Sequence, residues 1–499
     1  MSATGLLIGI GIWFLAGVGL SVRARREMGA GVREYFLAGR RLGGILSALS
    51  YSATTYSAFM MVGLVGLTYK GGIAALGFEL TYLAATVLLL SIFAPRYWAA
   101  GRLYDLMSPA EWLSLRYGSP AVGAATALLC LVMLIPYASV QLMGIGYLLE
   151  TLSGGTLPYA AGMGIVAAVA LVYAWWAGLR SVALTDALQA AIMLAATLLL
   201  ALRLGDLLPG GWSGALAARP DLLTVNWPLP MFLGLTLPWA FFALTNPQVV
   251  QRLYAPRDLP SLRRTLFVFA AFGLFYTLFC VLLGLGAAAL IPGLPNPDGA
   301  MPHLLTRVPP LLALVVTLSI LAAAVSTLNA ILLTLSSLFG RDLLRALRGV
   351  GEERELAWGK ALLPLLTLLC LAFGALRPGL IAILSTFSSA GLMVQLPAVL
   401  GSFFWRRGTA PGVLAGMAAG VAVMGLLTAL GLKPLGQWPP LWGLLADGLV
   451  FLGVSLLTAP PESGPRIQEE VRRSVEALFW PAQKPPSSAS ASVSASTGQ

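Results

Sequence analysis

Histidine and cysteine are nearly missing from this chain, with one His and three Cys among 499 residues. His303, beside Pro302 in an apolar-flanked loop, leaves no imidazole pair for a proton relay or a metal site. Cys130, Cys280 and Cys370 lie far apart inside apolar runs, where a thiol packs as a small hydrophobe rather than forming a disulfide or binding metal. There is no HExxH and no GxSxG, so hydrolytic metal and serine chemistry have no candidate constellation, and the chain does not read as an enzyme. Charge is scarce as well: Asp, Glu, Lys and Arg make up 10% of the residues.

What fills the chain is hydrocarbon. Hydrophobic residues reach 58% and the mean hydropathy is +0.84, more than a soluble core needs. A helix needs roughly 20 apolar residues to cross about 30 Å of lipid, and such runs recur along nearly the whole sequence. A β-barrel would show short alternating segments instead. The pattern predicts an all-α integral membrane protein with about 13 transmembrane helices, near 4–22, 43–68, 73–98, 120–149, 157–178, 182–204, 229–250, 265–292, 309–340, 357–375, 378–404, 410–431 and 438–458. If odd spans run outside to inside, the inner segments hold 25 of the 31 Lys and Arg, and the outer ones only Lys70, Arg203, Arg219, Arg307, Arg377 and Lys433. This asymmetry puts the N terminus outside and the C terminus in the cytoplasm of a cell (inner) membrane protein. It also accounts for the net charge of +11, with anionic membrane lipid rather than nucleic acid as the partner. The organisation expected is residues 1–42 as an N-terminal helix and basic loop, 43–204 and 205–405 as two five-helix units, 406–458 as two further helices, and 459–499 as a disordered tail.

Several polar features interrupt the apolar runs. Eight of the eleven residues Ser47–Ser57 carry a hydroxyl, and Gly63 and Gly66 follow. That density points to a helix that unwinds partway and lines a polar cavity, where freed carbonyls and hydroxyls can hold a hard monovalent cation such as sodium. The ninth span brings Ser326, Thr327, Asn329, Thr334, Ser336 and Ser337. The seventh holds Pro230, Pro238 and Pro247 and so cannot be one uniform helix. Two interrupted helices opening two five-helix units of opposite orientation point to a transporter site at the membrane midplane. In contrast, Gly412, Gly416 and Gly420 have the spacing of close helix packing. Asp186 in the sixth span reads either as part of an ion route or as an acid solvated from the cytoplasm. Glu79 and Asp447, near outer ends, are expected to be solvated.

The chain resembles the sodium:solute symporter family, which includes sodium/proline and sodium/glucose symporters. REYFLAGRRLGGILSALSYSATTYSAFMMVGLVGLTYKGG is similar to the family's entry segment and first core helix, and AWWAGLRSVALTDALQAAIM to its "GGxxAVxxTDxxQ" segment. NPQVVQRLYAPRDLPSLRR and AAAVSTLNAILLTLSSLFGRDLL extend the likeness over most of the chain. The resemblance implies a LeuT-like core of 5+5 inverted repeats, with one extra N-terminal and two extra C-terminal helices. It implies a sodium site made of the backbone carbonyls of Ala53, Tyr56 and Ala323 and the hydroxyls of Ser326 and Thr327. Sodium is then the coupling ion and no cofactor is needed. It places Tyr137, Gln141, Trp239 and Ser57 at the substrate, and Asp186 on the ion pathway. Thr55 stands where the proline symporters have an aspartate, and Ala243 where the family has a tyrosine, so proline is a poor substrate candidate and a larger pocket is expected. The wording around Tyr137 is similar to that of the monocarboxylate-type members. The implied function is sodium-coupled import of a small organic solute by alternating access, with proton coupling on the same fold as the alternative.

Overall fold

The computed structural model describes residues 2–26, 29 and 31–479. All regular structure among them is helical, and one isolated bridge joins Leu42 to Pro256. Helix α1 is Ala3–Arg26. Gly44–Thr55 (α2) stops in mid-span, a wider π turn covers Phe59–Leu64, and Val65–Gly71 (α3) completes the crossing. Next come Ala74–Leu103 (α4) and Pro120–Leu152 (α5), separated by the short helix Pro109–Tyr117, whose capping box pairs Ser108 with Glu111. Tyr159–Leu207 (α6) is bent at Gly178, which takes φ 57° and divides the helix into two apolar stretches.

The second half repeats the plan. Leu229–Ala240 (α7) and Pro247–Leu253 (α8) flank a break at Asn246, where Pro247 has no N–H to continue the helix ladder. Leu259–Leu290 (α9), Pro310–Ser337 (α10) and Glu352–Ala375 (α11) follow. Ile381–Met393 (α12) and Leu396–Phe404 (α13) form a further bent pair around Gln395. Ala410–Ala429 (α14), Pro439–Leu457 (α15) and Ser463–Phe479 (α16) end the described chain. Among the described residues nine helices are long and apolar enough to cross a membrane, or eleven if the pairs bent by 42° and 43° each count once. The expected thirteen exceed that number by the broken α2–α3 segment and by the 17-residue limit on Tyr159–Trp175.

Three expectations need correction. Glu79 and Asp447 are buried, at 1% and 2% exposure, because neighbouring helices cover the turns on which they sit. The tail is helical over Ser463–Phe479, because Ile467, Val471 and Val475 recur every fourth residue and bury one face; residues 480–499 lie outside the described residues. The glycine spacing does what it promised: a Cβ at Gly412, Gly416 or Gly420 would lie 2.9–3.0 Å from a backbone carbonyl of α15.

Candidate ion and substrate site

The last backbone bond of α2 runs from the Tyr56 N–H to the Ser52 carbonyl at 2.8 Å. Beyond it the amides turn elsewhere. The Ala58 N–H donates to Gln141 Oε1 at 3.1 Å and the Phe59 N–H to Ser57 Oγ at 3.2 Å, so Thr54 and Thr55 lose their usual helical donors. Two hydroxyls of α10 occupy the gap. Ser326 Oγ donates to the Ala53 carbonyl at 2.8 Å and to the Ala323 carbonyl at 3.0 Å, while Thr327 Oγ1 lies 3.2 Å from the carbonyls of both Ala53 and Thr54.

The structure therefore brings together Ala53, Ala323, Ser326 and Thr327 and adds the Thr54 carbonyl. Tyr56 occupies the extended step where the helix ends, at φ −91° and ψ 92°, and none of these hydroxyl bonds reaches it. Its ring lies against Phe269 and Phe272 of α9. Neutral oxygens about 3 Å apart match adjacent ligands around a hard cation whose metal–oxygen distances are about 2.3–2.6 Å. A hydroxyl that now donates to a carbonyl can rotate and turn its lone pairs to such an ion.

Toward the opposite wall, the rings gather around Trp239 of α7. Phe59 stacks on it at 5.0 Å and Phe242 at 5.1 Å, Tyr82 and Tyr137 meet it edge-on, and its Nε1 donates to Thr386 Oγ1 at 2.9 Å. Ser57, Tyr137, Gln141 and Trp239 are at most 2% exposed, so this region is closed to solvent. Beside Ala243, it is Phe242 that supplies the aromatic surface, through contacts with Tyr82, Tyr137 and Trp239. Gln141 is engaged within the protein: its Oε1 accepts from the Ala58 N–H and its Nε2 donates to the Tyr137 carbonyl at 3.1 Å, so it braces the break in α2. The buried Tyr82 hydroxyl and Glu79 Oε2 have no hydrogen-bond partner among the described residues, a polarity that a bound solute can satisfy.

Asp186 is fully buried, which removes the solvated alternative. Its Oδ2 accepts from Ser50 Oγ at 2.8 Å and from Arg252 Nη2 at 3.3 Å, so one acid ties α2, α6 and α8 together. Arg252, Phe242, Thr386 and Thr54 were missed by the sequence reading. The Asp186–Arg252 pairing spans 66 residues, and only the shared rarity of charge inside apolar runs could have linked the two.

Comparison with known proteins supports the family and the fold. The model of the sodium:solute symporter family matches residues 35–420. The sodium/pantothenate symporter of Escherichia coli is 29% identical, covering 87% of this chain and 92% of its own. The osmoregulated proline transporter of Bacillus subtilis is 26% identical, with 91% and 95% covered. A Na+-coupled sialic acid symporter solved in a substrate-bound outward-open state shares the fold, with a TM-score of 0.76 at 18% identity over 91% of this chain and 97% of the other.

Proposed function

Since this chain belongs to the sodium:solute symporter family, we propose that it imports a small organic solute, with a monocarboxylate as the leading class, in symport with sodium. The observation that carries this reading is the meeting of α2 and α10 through the oxygens of Ala53, Thr54, Ala323, Ser326 and Thr327. The monocarboxylate class is supported by the likeness to a sodium/pantothenate symporter. The chain is a multi-pass membrane protein, and the proposed orientation, N terminus outside and C terminus in the cytoplasm, follows from its Lys and Arg distribution.

In the mechanism, sodium replaces the hydroxyl–carbonyl bonds between α2 and α10, with Ser326 and Thr327 turning their lone pairs to it. That stabilises one relative position of the two helices, and the solute binds beside it against Trp239, Phe59 and Tyr137. Each ligand raises the affinity of the other by the same factor. Inward movement of each sodium charge releases roughly 2.3 kcal/mol per 100 mV of membrane potential. The pair Asp186–Arg252 bridges the inner half of α2 to α8, and its opening frees the route by which the ion leaves.

Glu79 favours one competing reading, proton coupling, because it is a buried acid with an unpartnered oxygen. Uptake of labelled monocarboxylates, amino acids and sugars into proteoliposomes, with and without an inward sodium gradient, separates the two. Accumulation that requires the gradient is expected. Accumulation of every transported solute without sodium would refute the proposal.

A further inference from the structure

Away from the ion and solute site, α13 and α15 flank a groove of about 610 Å³ whose walls are almost entirely apolar. Leu400, Phe404, Leu445, Leu449 and Leu452 form its exposed rim, and Phe241 and Leu396 its floor. Along α15 the groove runs from Leu444 to Leu452, about 12 Å at 1.5 Å per residue, close to half of a hydrocarbon core about 30 Å thick. One wall, α15, lies beyond the matched residues 35–420, while Phe241 and α13 lie within them.

Where the groove ends, the chain turns through Trp405, Arg406 and Arg407. Arg407 Nη2 donates to the Leu456 carbonyl at 2.9 Å, and among the described residues no acid pairs with it. Arg406 meets Glu469 of α16 at 3.0 Å, but that carboxylate is shared with Arg472 and Arg473. Arg96 lies over the Phe404 ring, 4.9 Å from its centroid. A hydrocarbon slot one leaflet long, ending in three guanidinium groups, matches a molecule with an acyl chain and an anionic head.

We propose that this groove binds an anionic phospholipid of the leaflet on the arginine side, the cytoplasmic one in the orientation above, with an acyl chain in the slot and its phosphate at Arg406 and Arg407. The chain would touch Phe241 at the end of α7 and Leu396 just after the bend at Gln395, so occupancy props two interrupted helices at once.

The test is native mass spectrometry of the full-length protein equilibrated with vesicles of mixed phosphatidylglycerol and phosphatidylcholine. Wild type is expected to retain phosphatidylglycerol in preference. Replacing Arg406 and Arg407 with Gln should weaken that retention about fivefold per arginine. Gly448→Phe should block the slot itself, since a Cβ there has only Pro397 Cγ nearby, at 3.9 Å. The surface double variant keeps the test valid if Gly448→Phe fails to fold. Equal retention of both lipids by wild type, or unchanged phosphatidylglycerol retention in the arginine variant, would overturn the proposal. A changed oligomeric state in Gly448→Phe with lipid retention intact would assign the groove to a second copy and overturn it too.

Discussion

The break after Thr55 and the break at Asn246 are each crossed by a distant glutamine, Gln141 of α5 at the first and Gln395 of the α12–α13 bend at the second. Gln141 takes up the Ala58 N–H at 3.1 Å, and Gln395 gives an N–H to the Thr245 carbonyl at 2.6 Å. The first break also faces Ser326 and Thr327, hydroxyls that can exchange donation for acceptance when a cation arrives. At the second, the Gln395 amide takes the Thr245 carbonyl, the Thr245 hydroxyl is tied back to the Phe241 carbonyl at 3.1 Å, Pro247 has no N–H, and the rings of Trp239 and Phe242 stack on each other. Interruption alone therefore does not make an ion site. Rotatable oxygens facing the freed carbonyls offer ligands to a cation, while an amide, a hydroxyl tied to its own helix and aromatic surfaces offer a wall of fixed shape.

The largest effect is expected where the two regions join. Asp186→Asn would leave Arg252 buried without its counter-charge, at a cost of about 3–5 kcal/mol, seen as a lower melting temperature in detergent. Adding Arg252→Gln should recover most of it; no recovery would show that the pair does not couple the two regions. Next come the glutamines. Gln141→Ala would strand the Ala58 N–H at about 1–3 kcal/mol and is expected to weaken sodium binding. Gln395→Ala, which strands a more tolerant carbonyl, should spare sodium binding and alter the solute KM. If both variants change sodium affinity equally, the distinction between the breaks fails. Trp239→Phe loses the bond to Thr386 and should raise the solute KM a few-fold, from about 0.5–1.5 kcal/mol.

The remaining effect is on pH. Asp298, in the loop between α9 and α10, accepts from the Ile381 N–H at 2.9 Å and so fastens the loop to the start of α12. Burial pushes its carboxyl up to about 7, against the pull of the Ile381 bond. The folded loop thus holds the proton more tightly than the unfolded chain. Its contribution to stability is complete below the ordinary Asp value of about 4 and is lost as pH rises through about 7. Melting temperatures across that window should fall with pH in wild type and flatten in Asp298→Asn.

Much of this was legible in the sequence. The hydroxyl density of Ser47–Ser57 and the prolines of the seventh span identified both broken helices, because backbone unwound in lipid needs replacement partners and proline has no N–H to donate to the helix ladder. Long-range pairing was not legible. Gln141 is a plausible solute ligand by residue type, and only the fold shows its amide committed to Ala58. Glu79 and Asp447 look solvated when judged by distance from a span's end, yet burial is set by the helices that cover them. The tail's composition hid a short amphipathic helix whose apolar face has meaning only against the helix ends it covers.

The central claim is that Ser326 and Thr327 convert a broken helix into a sodium site. Equilibrium binding of radiolabelled sodium to purified wild type and to the Ser326→Ala, Thr327→Ala double variant tests it without knowledge of the solute. Hydrogen bonds to a charged group contribute about 1.5–3 kcal/mol each, so the double variant should bind sodium at least about tenfold more weakly. Sodium affinity equal to that of wild type, in a variant that melts at the same temperature, would contradict the account.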